Sequence, residues 1–172
     1  MSAMKTLHLI RHAKSSWKNM DQNDIDRPLK KRGIQDMKTM AQTIGDENIK
    51  LDLILTSPAV RAFETSKILV DKLHLESNQF QVKEKLYLPD FATLLKSVLY
   101  LNDELNDVAI VGHEPSLSSI INYFLNKPLE KVATGSVTTL EFSSKKWINL
   151  TAANLKSAYH RNKNDFKGFK LQ

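Results

Sequence analysis

Short apolar runs alternate along this chain with longer segments in which apolar residues recur every three or four positions. The first run, Thr6 to Ile10, is rich in β-formers and stops at the charged Arg11. Polar, loop-like residues follow from Lys14 to Arg27, with Pro28 near the start of the next element. From Lys30 to Glu47, Ile34, Met37, Met40, Ala41 and Ile44 fall on one helical face. Leu51 to Leu55 reads as a second strand. It gives way to Thr56-Ser57-Pro58, where Ser57 suits a helix N-cap and Pro58 the first helical position. That helix runs through Ala62, Ile68, Leu69 and Leu73. A short strand over Phe80 to Val82 and a helix over Phe91 to Leu101 come next. Val108 to Val111 is the most strand-like segment, and a helix from Pro115 to Leu125 follows it. Asn126-Lys127-Pro128 and Thr134-Gly135 punctuate the chain before two antiparallel-looking strands, Val137 to Phe142 and Trp147 to Thr151.

Strands alternating with helices predict an α/β fold: a three-layer sandwich with a mostly parallel central sheet and helices on both faces. No repeat, low-complexity block or linker divides the chain, so residues 1–172 read as one domain. The last dozen residues carry no strong periodicity and are expected as a loosely packed tail.

Composition narrows the class. A chain of 172 residues can bury a full core without staples. With no cysteine, disulfides, thiolate metal sites and cysteine nucleophiles are excluded. No apolar run approaches the ~18 residues of a membrane span. Met1-Ser2-Ala3-Met4-Lys5 runs directly into the first strand and reads as no signal peptide, so the expected compartment is the cytoplasm. The net charge of +6 raises nucleic acid as a partner. The basic residues are spread, however, and the denser patches, Lys30-Lys31-Arg32 and the tail from His160 to Lys170, lack interleaved aromatics at the first patch. They read as a solvated helix face and a basic tail, and the expectation is neither a nucleic-acid nor a membrane partner. A positive field also attracts an anionic substrate.

The candidate chemistry lies at strand ends. His12 follows the first strand, and His113 follows Val108 to Gly112 in the same setting. Open parallel sheets bind ligands outside these carboxyl ends. Arg11 adjoins His12, and Arg61 follows the second strand. Two arginines and two imidazoles in one crevice suit a phosphate site that contains a nucleophile. A neutral imidazole can attack phosphorus and hold the phosphoryl group covalently, while arginine forks pair its oxygens.

Leu9-Ile10-Arg11-His12-Ala13-Lys14-Ser15-Ser16-Trp17 resembles the first signature of the histidine phosphatase superfamily, the phosphoglycerate-mutase-like fold. Further family landmarks follow in order. They are Asp26-Arg27-Pro28-Leu29 with Arg32-Gly33, then Thr56-Ser57-Pro58-Ala59-Val60-Arg61-Ala62-Phe63-Glu64-Thr65, then Val111-Gly112-His113-Glu114-Pro115. The likeness covers residues 6 to 125, and its wording is most similar to the SixA branch, which is associated with phosphohistidine phosphatase activity. The resemblance implies a phosphatase acting through phospho-His12, with Arg11, Arg61 and His113 completing the catalytic pocket and Arg27 binding the substrate phosphate. A protonated His113 would neutralise charge on the transferring group. No metal and no cofactor are expected, because these cations do the work of Mg²⁺. The expected partner is a protein bearing phosphohistidine, or a small phosphorylated substrate.

Three departures bear on this. Ala13 stands where the superfamily has glycine, and a positive φ there would strain it. Lys18 stands where many mutase-type members carry asparagine, with Asn19 one residue late. The insertion that supplies a carboxylic acid in mutases is short, and Glu84 lies near that position. A labile phosphoramidate tolerates a missing acid better than a phosphomonoester does. Phosphohistidine in a protein is therefore favoured, with a small-metabolite phosphomonoesterase or a non-catalytic phosphate-binding module as alternatives.

Plainer readings accompany each residue. Arg61 could pair Glu64, Arg27 could pair Asp24, and Glu84 could be a solvated charge. His8 reads as packing, and His74 and His160 as exposed and inert. Trp17 suits either the pocket mouth or the core, and Lys14 and Ser15 either bind substrate or shape the loop.

Overall fold

A computed structural model of the chain describes residues 4–18, 21–126 and 128–171. Asn19 and Lys127 lie outside these. The elements are β1 (Met4–Arg11), α1 (Lys31–Asp46), β2 (Leu53–Thr56), α2 (Val60–Leu73), β3 (Phe80–Val82), α3 (Phe91–Leu99), β4 (Asp107–Gly112), α4 (Ser116–Phe124), β5 (Val137–Ser143), β6 (Leu155–Asn162) and β7 (Asp165–Lys170). One seven-stranded sheet runs in the order β3-β2-β4-β1-β5-β6-β7. Its first four strands are parallel, and β5, β6 and β7 join antiparallel. The sheet is thus mixed, with the parallel half carrying the histidine turns.

Alternation of side chains across the pleat builds the three layers. Leu7 and Leu9 of β1 and Val108 and Ile110 of β4 pack with Leu117, Ile120, Ile121 and Phe124 of α4. Ile10, Ala109 and Val111 face the other way, against Met37, Met40 and Ala41 of α1 and Leu69 of α2. Because β1 and β4 are buried on both faces, their sequences read as almost continuous apolar runs.

The C-terminal region corrects three expectations. Trp147 to Thr151 is not a strand: Trp147–Asn149 is a 3-10 turn, and the buried Trp147 indole donates to the Leu105 carbonyl at 2.9 Å. The strand paired with β5 is β6, with Leu140 opposite Ala158. The described part of the expected tail forms the end of β6 and β7, an ordered hairpin rather than a loose tail. Backbone pairing with β6 orders this segment, and Phe166 and Leu171 pack against the two cores. His160, expected to be exposed, is buried with Nδ1 2.9 Å from the Thr138 hydroxyl. Arg161 is buried too, paired with Glu47 at 2.5 Å at the end of α1. His74 is exposed, and His8 is buried in β1 against the Thr139 hydroxyl at 2.9 Å. Among the described residues no helix is long and apolar enough to cross a membrane.

Candidate active site

The carboxyl ends of β1, β2 and β4 open onto a cavity of about 370 Å³. Arg11, His12, Arg27, Arg61 and His113 all line it, so the structure brings together every site residue expected from the sequence. Glu84 is exposed and does not line it.

His12 follows β1 and is buried. Its Nδ1 lies 2.8 Å from the Ala13 carbonyl, which can only accept, so the ring proton sits on Nδ1. Nε2 therefore carries the free lone pair, and Arg61 Nε donates to it at 3.3 Å. Burial, aided by Arg61, Arg11 and Arg27 and opposed by the Ala13 hydrogen bond, pulls His12 down to about 4. His113 is fixed by the same logic. Arg61 Nη2 can only donate, so the Nδ1 atom 3.4 Å away accepts, and Nε2–H donates to the Ser57 hydroxyl at 2.8 Å. Burial first, then Arg61, pushes His113 down to about 3. The resting His113 is thus neutral, so the charge-neutralising role considered from the sequence requires it to gain a proton. The two rings are tilted, with centroids 5.3 Å apart.

Ser57 is not the helix cap that the sequence suggested. Its N–H continues the sheet to the Val111 carbonyl at 3.1 Å, and its hydroxyl orients His113. The helix accordingly starts at Val60 rather than Pro58, with Ala59 as N-cap. Four residues after Arg61, Thr65 takes the Ala13 N–H at 2.9 Å on its hydroxyl. Ala13 has no positive φ and is buried, so alanine fits in place of the superfamily glycine without strain.

The segment from Lys14 to Lys30 is a loop pinned at its neck. Ser16 N–H donates to the Pro28 carbonyl and Lys30 N–H to the Lys14 carbonyl, both at 2.8 Å. Glu64 does not pair Arg61; its carboxylate accepts the Leu29 N–H at 2.7 Å. Gly33 packs against this neck, where a Cβ would sit 2.4 Å from the Lys14 carbonyl oxygen. Arg27 donates to the Ser16 carbonyl at 3.0 Å and to the Ser15 hydroxyl at 2.5 Å. Its guanidinium lies 3.3 Å over the Trp17 ring, which is 69% exposed at the cavity mouth. Ser15 thus holds Arg27, and both Lys14 and Ser15 line the cavity.

Two side chains that the sequence reading did not place in the site belong to it. Asp24, considered only as a neighbour of Arg27, bridges Arg27 at 2.6 Å and Arg61 at 2.8 Å. Tyr87 donates its hydroxyl to the same carboxylate at 2.9 Å and meets His113 edge-on. Burial works against the Asp24 carboxylate, but hydrogen bonds from Arg27, Tyr87 and Arg61 outweigh it and leave Asp24 at about 2. The one sequence signal was the i to i+3 spacing of Asp24 and Arg27; nothing local pointed to Tyr87.

This fold and cluster define an α/β protein built around two histidines at sheet ends within a ring of arginines, and comparison with known proteins assigns its class. Residues 7–86 match the histidine phosphatase superfamily (branch 1). An uncharacterized protein of Mycobacterium leprae is 30% identical over 114 residues, 64% of this chain and 68% of that protein. An uncharacterized chloroplastic protein of Arabidopsis thaliana is 29% identical over 133 residues; the match takes in 77% of this chain and 59% of that relative's length. The structure of the protein histidine phosphatase SixA complexed with tungstate superposes with a TM-score of 0.73 at 18% identity, covering 89% of this chain and 95% of that one. The chain belongs to the histidine phosphatase superfamily.

Proposed function

We propose that this protein is a metal-independent phosphatase in which His12 Nε2 takes the phosphoryl group and passes it to water. The observation that carries this reading is the presentation of Nε2: unprotonated, held by Nδ1 on Ala13, and facing a cavity lined by three guanidinium groups. Arg11 Nη1 is anchored on the Val132 carbonyl at 2.7 Å, while its Nε is buried with no hydrogen-bond partner. Buried donors are seldom left unpaired, and a phosphoryl oxygen would satisfy this one. Arg11, Arg27 and Arg61 neutralise the transferring group, and His113 gains a proton as the dianion enters, since nearby negative charge favours its cationic form. Binding of tungstate, a phosphate-like oxyanion, by the superposable SixA supports the same use of the cavity.

For the substrate we favour phosphohistidine carried on a protein, in the cytoplasm. The Glu84 carboxylate lies outside the cavity, and Glu114 at its edge is held by the Val132 N–H and the Ser118 hydroxyl. Asp24 is held as an anion by Arg27 and Arg61. A leaving alkoxide is thus offered no protonated acid, whereas an imidazole leaving group can be protonated in advance. The exposed Trp17 and Leu88 and the cationic Lys14 and Lys30 at the mouth suit a macromolecular substrate.

Rapid quenching in alkali after mixing with a phosphohistidine protein should trap an acid-labile phosphoryl group on His12. His12→Ala should lose both label and turnover, in EDTA as in plain buffer. Label that persists in His12→Ala sinks the scheme. Glu84→Gln should alter phosphohistidine turnover by less than about fivefold, well short of a general-acid effect of ~10² or more. A loss of that larger size would make Glu84 essential and remove the chemical ground for this substrate.

A further inference from the structure

The face of the sheet that buries Ile10 and Val137 against α1 and α2 turns polar farther along the same strands. On that face β1 presents Thr6 and His8, β5 presents Thr139 and Glu141, and β6 presents Ser157, Tyr159 and Arg161, because residues paired across strands share a side. With Asp107 of β4 and the turn after α1 they line a cavity of about 510 Å³, which shares no lining residue with the active site. Two nitrogens in it are orphaned. His8 is 4% exposed and Arg161 7%, yet His8 Nε2 and Arg161 Nε have no hydrogen-bond partner. Buried polar groups are seldom left so. Each side chain is held elsewhere, His8 by Nδ1 on the Thr139 hydroxyl and Arg161 by Nη2 on Glu47, so each is fixed with one nitrogen to spare. Arg161 Nε can only donate. The Thr139 hydroxyl can donate to Nδ1, which leaves the ring proton of His8 on Nε2. Two N–H donors, one of them on a guanidinium, call for an anionic oxygen.

The other end of the cavity has the opposite sign. Asp107 and Glu141 flank Thr6 from the two neighbouring strands. Burial, with Asp52 and Glu141 close by, lifts Asp107 above its ordinary value against a hydrogen bond from Thr6. A cation placed between the two carboxylates would relieve them. Lys50, exposed at the rim, pairs with neither. Thr6 and His8 stand two residues apart on β1, roughly 7 Å along the strand. A hydrogen bond of roughly 3 Å at each end leaves only a few atoms between the two charges of an occupant. An anion alone would face Asp107 and Glu141 uncompensated, and a cation alone would leave the two nitrogens without an acceptor. We propose that this cavity binds a small zwitterion of the α-amino-acid class, with its carboxylate on Arg161 Nε and His8 Nε2 and its ammonium on Asp107 and Glu141. Ile49 and the Tyr159 ring add apolar surface for its side chain.

The test is calorimetric titration of the full chain with free L-amino acids, one at a time, and with acetate and methylammonium as the two halves of the ligand. At least one amino acid should bind with a Kd of about 1 mM or tighter, and each half at least roughly tenfold more weakly. Saturating tungstate, directed to the cavity of His12, should leave that affinity unchanged. Arg161→Lys keeps a cation for Glu47 but has no Nε, and Glu141→Gln keeps an acceptor for the Ser157 hydroxyl but loses the charge. Each should weaken binding by roughly tenfold or more. Circular dichroism establishes that the variants fold, and the half-buried Glu141 carries the test if Arg161→Lys does not. Absence of binding by every amino acid overturns the proposal, as does unchanged affinity in folded Glu141→Gln. Acetate binding as tightly as the amino acid would make this an anion site without the zwitterion. Displacement by tungstate would move the ligand to the active-site cavity, and either result overturns the assignment.

Discussion

At the scale of the residue, the site depends on guanidinium geometry more than on positive charge. Arg61 reaches His12, His113 and both the side chain and backbone of Asp24 from one planar fork. Lysine keeps the charge but offers one ammonium at the end of a flexible stem. We expect Arg61→Lys and Arg11→Lys each to lower turnover by on the order of a hundredfold, the size of one lost transition-state donor. Steady-state kinetics on a phosphohistidine protein measures this, and wild-type values for both variants would remove these side chains from phosphoryl binding. The arginines and histidines were legible in the sequence because each sits in a short recognisable motif, Arg27 on the loop after β1 and the others at or just past a strand end. The neutrality of His113 was not. It follows from burial and from Arg61, which arrives from a helix 52 residues earlier in the chain.

At the scale of the element, the loop from Lys14 to Lys30 is shaped by what touches its neck. Gly33, inside the first turn of α1, meets the Lys14 backbone so closely that any Cβ must push one of them away. Gly33→Ala should cost roughly 1–3 kcal/mol, as overpacking against backbone does. Urea unfolding would report it, and tungstate affinity should fall in parallel because Asp24 and Arg27 hang from this loop. An unchanged midpoint would mean that the neck is softer than its contacts imply. The elements themselves were largely readable: α1, α3, α4, β3 and β4 lie within about two residues of their expected bounds, since apolar periodicity encodes them directly. Trp147 misled because a β-favouring aromatic was being spent on filling the core beneath β5 and α3, not on pairing.

At the scale of the whole molecule, burial sets how stability responds to acid. Burial, with Arg161 nearby, pulls His8 down to about 4, and burial places His12 and His113 at about 4 and 3. In the unfolded chain these histidines titrate near 6.5. Below that pH the unfolded state gains protons that the folded state excludes until about pH 4. Stability present above pH 6.5 is therefore lost progressively as the pH falls through this window. The loss should be on the order of a few kcal/mol per histidine at its lower end. Urea midpoints should be highest near pH 7 and decline steadily to pH 4.5, less steeply in His8→Gln. A midpoint independent of pH across that range would contradict the burial of these rings as neutral groups.

What the sequence determined by itself was local: the alternation of strands and helices, the turns at the ends of β1, β2 and β4, and the charged or imidazole side chains placed there, with Arg27 on the loop after β1. Periodicity and short motifs act between residues close in the chain, and they can be read there. Tertiary structure alone decided the rest. β6 is ordered by pairing with β5, and β7 by pairing with β6, rather than by any strong period of their own. Lys5 takes a slot on the same face as Leu7 and Leu9 and is buried there because three acceptors, the Asp103 and Leu105 carbonyls and the Asn106 side chain, converge on its ammonium across 98 to 101 residues of chain. Asp24 and Tyr87 enter the site because α2 and the end of β4 close over the loop and bring Arg61 and His113 to them. Such contacts depend on which surfaces meet after the layers stack, and no stretch of sequence short enough to show a pattern contains both partners.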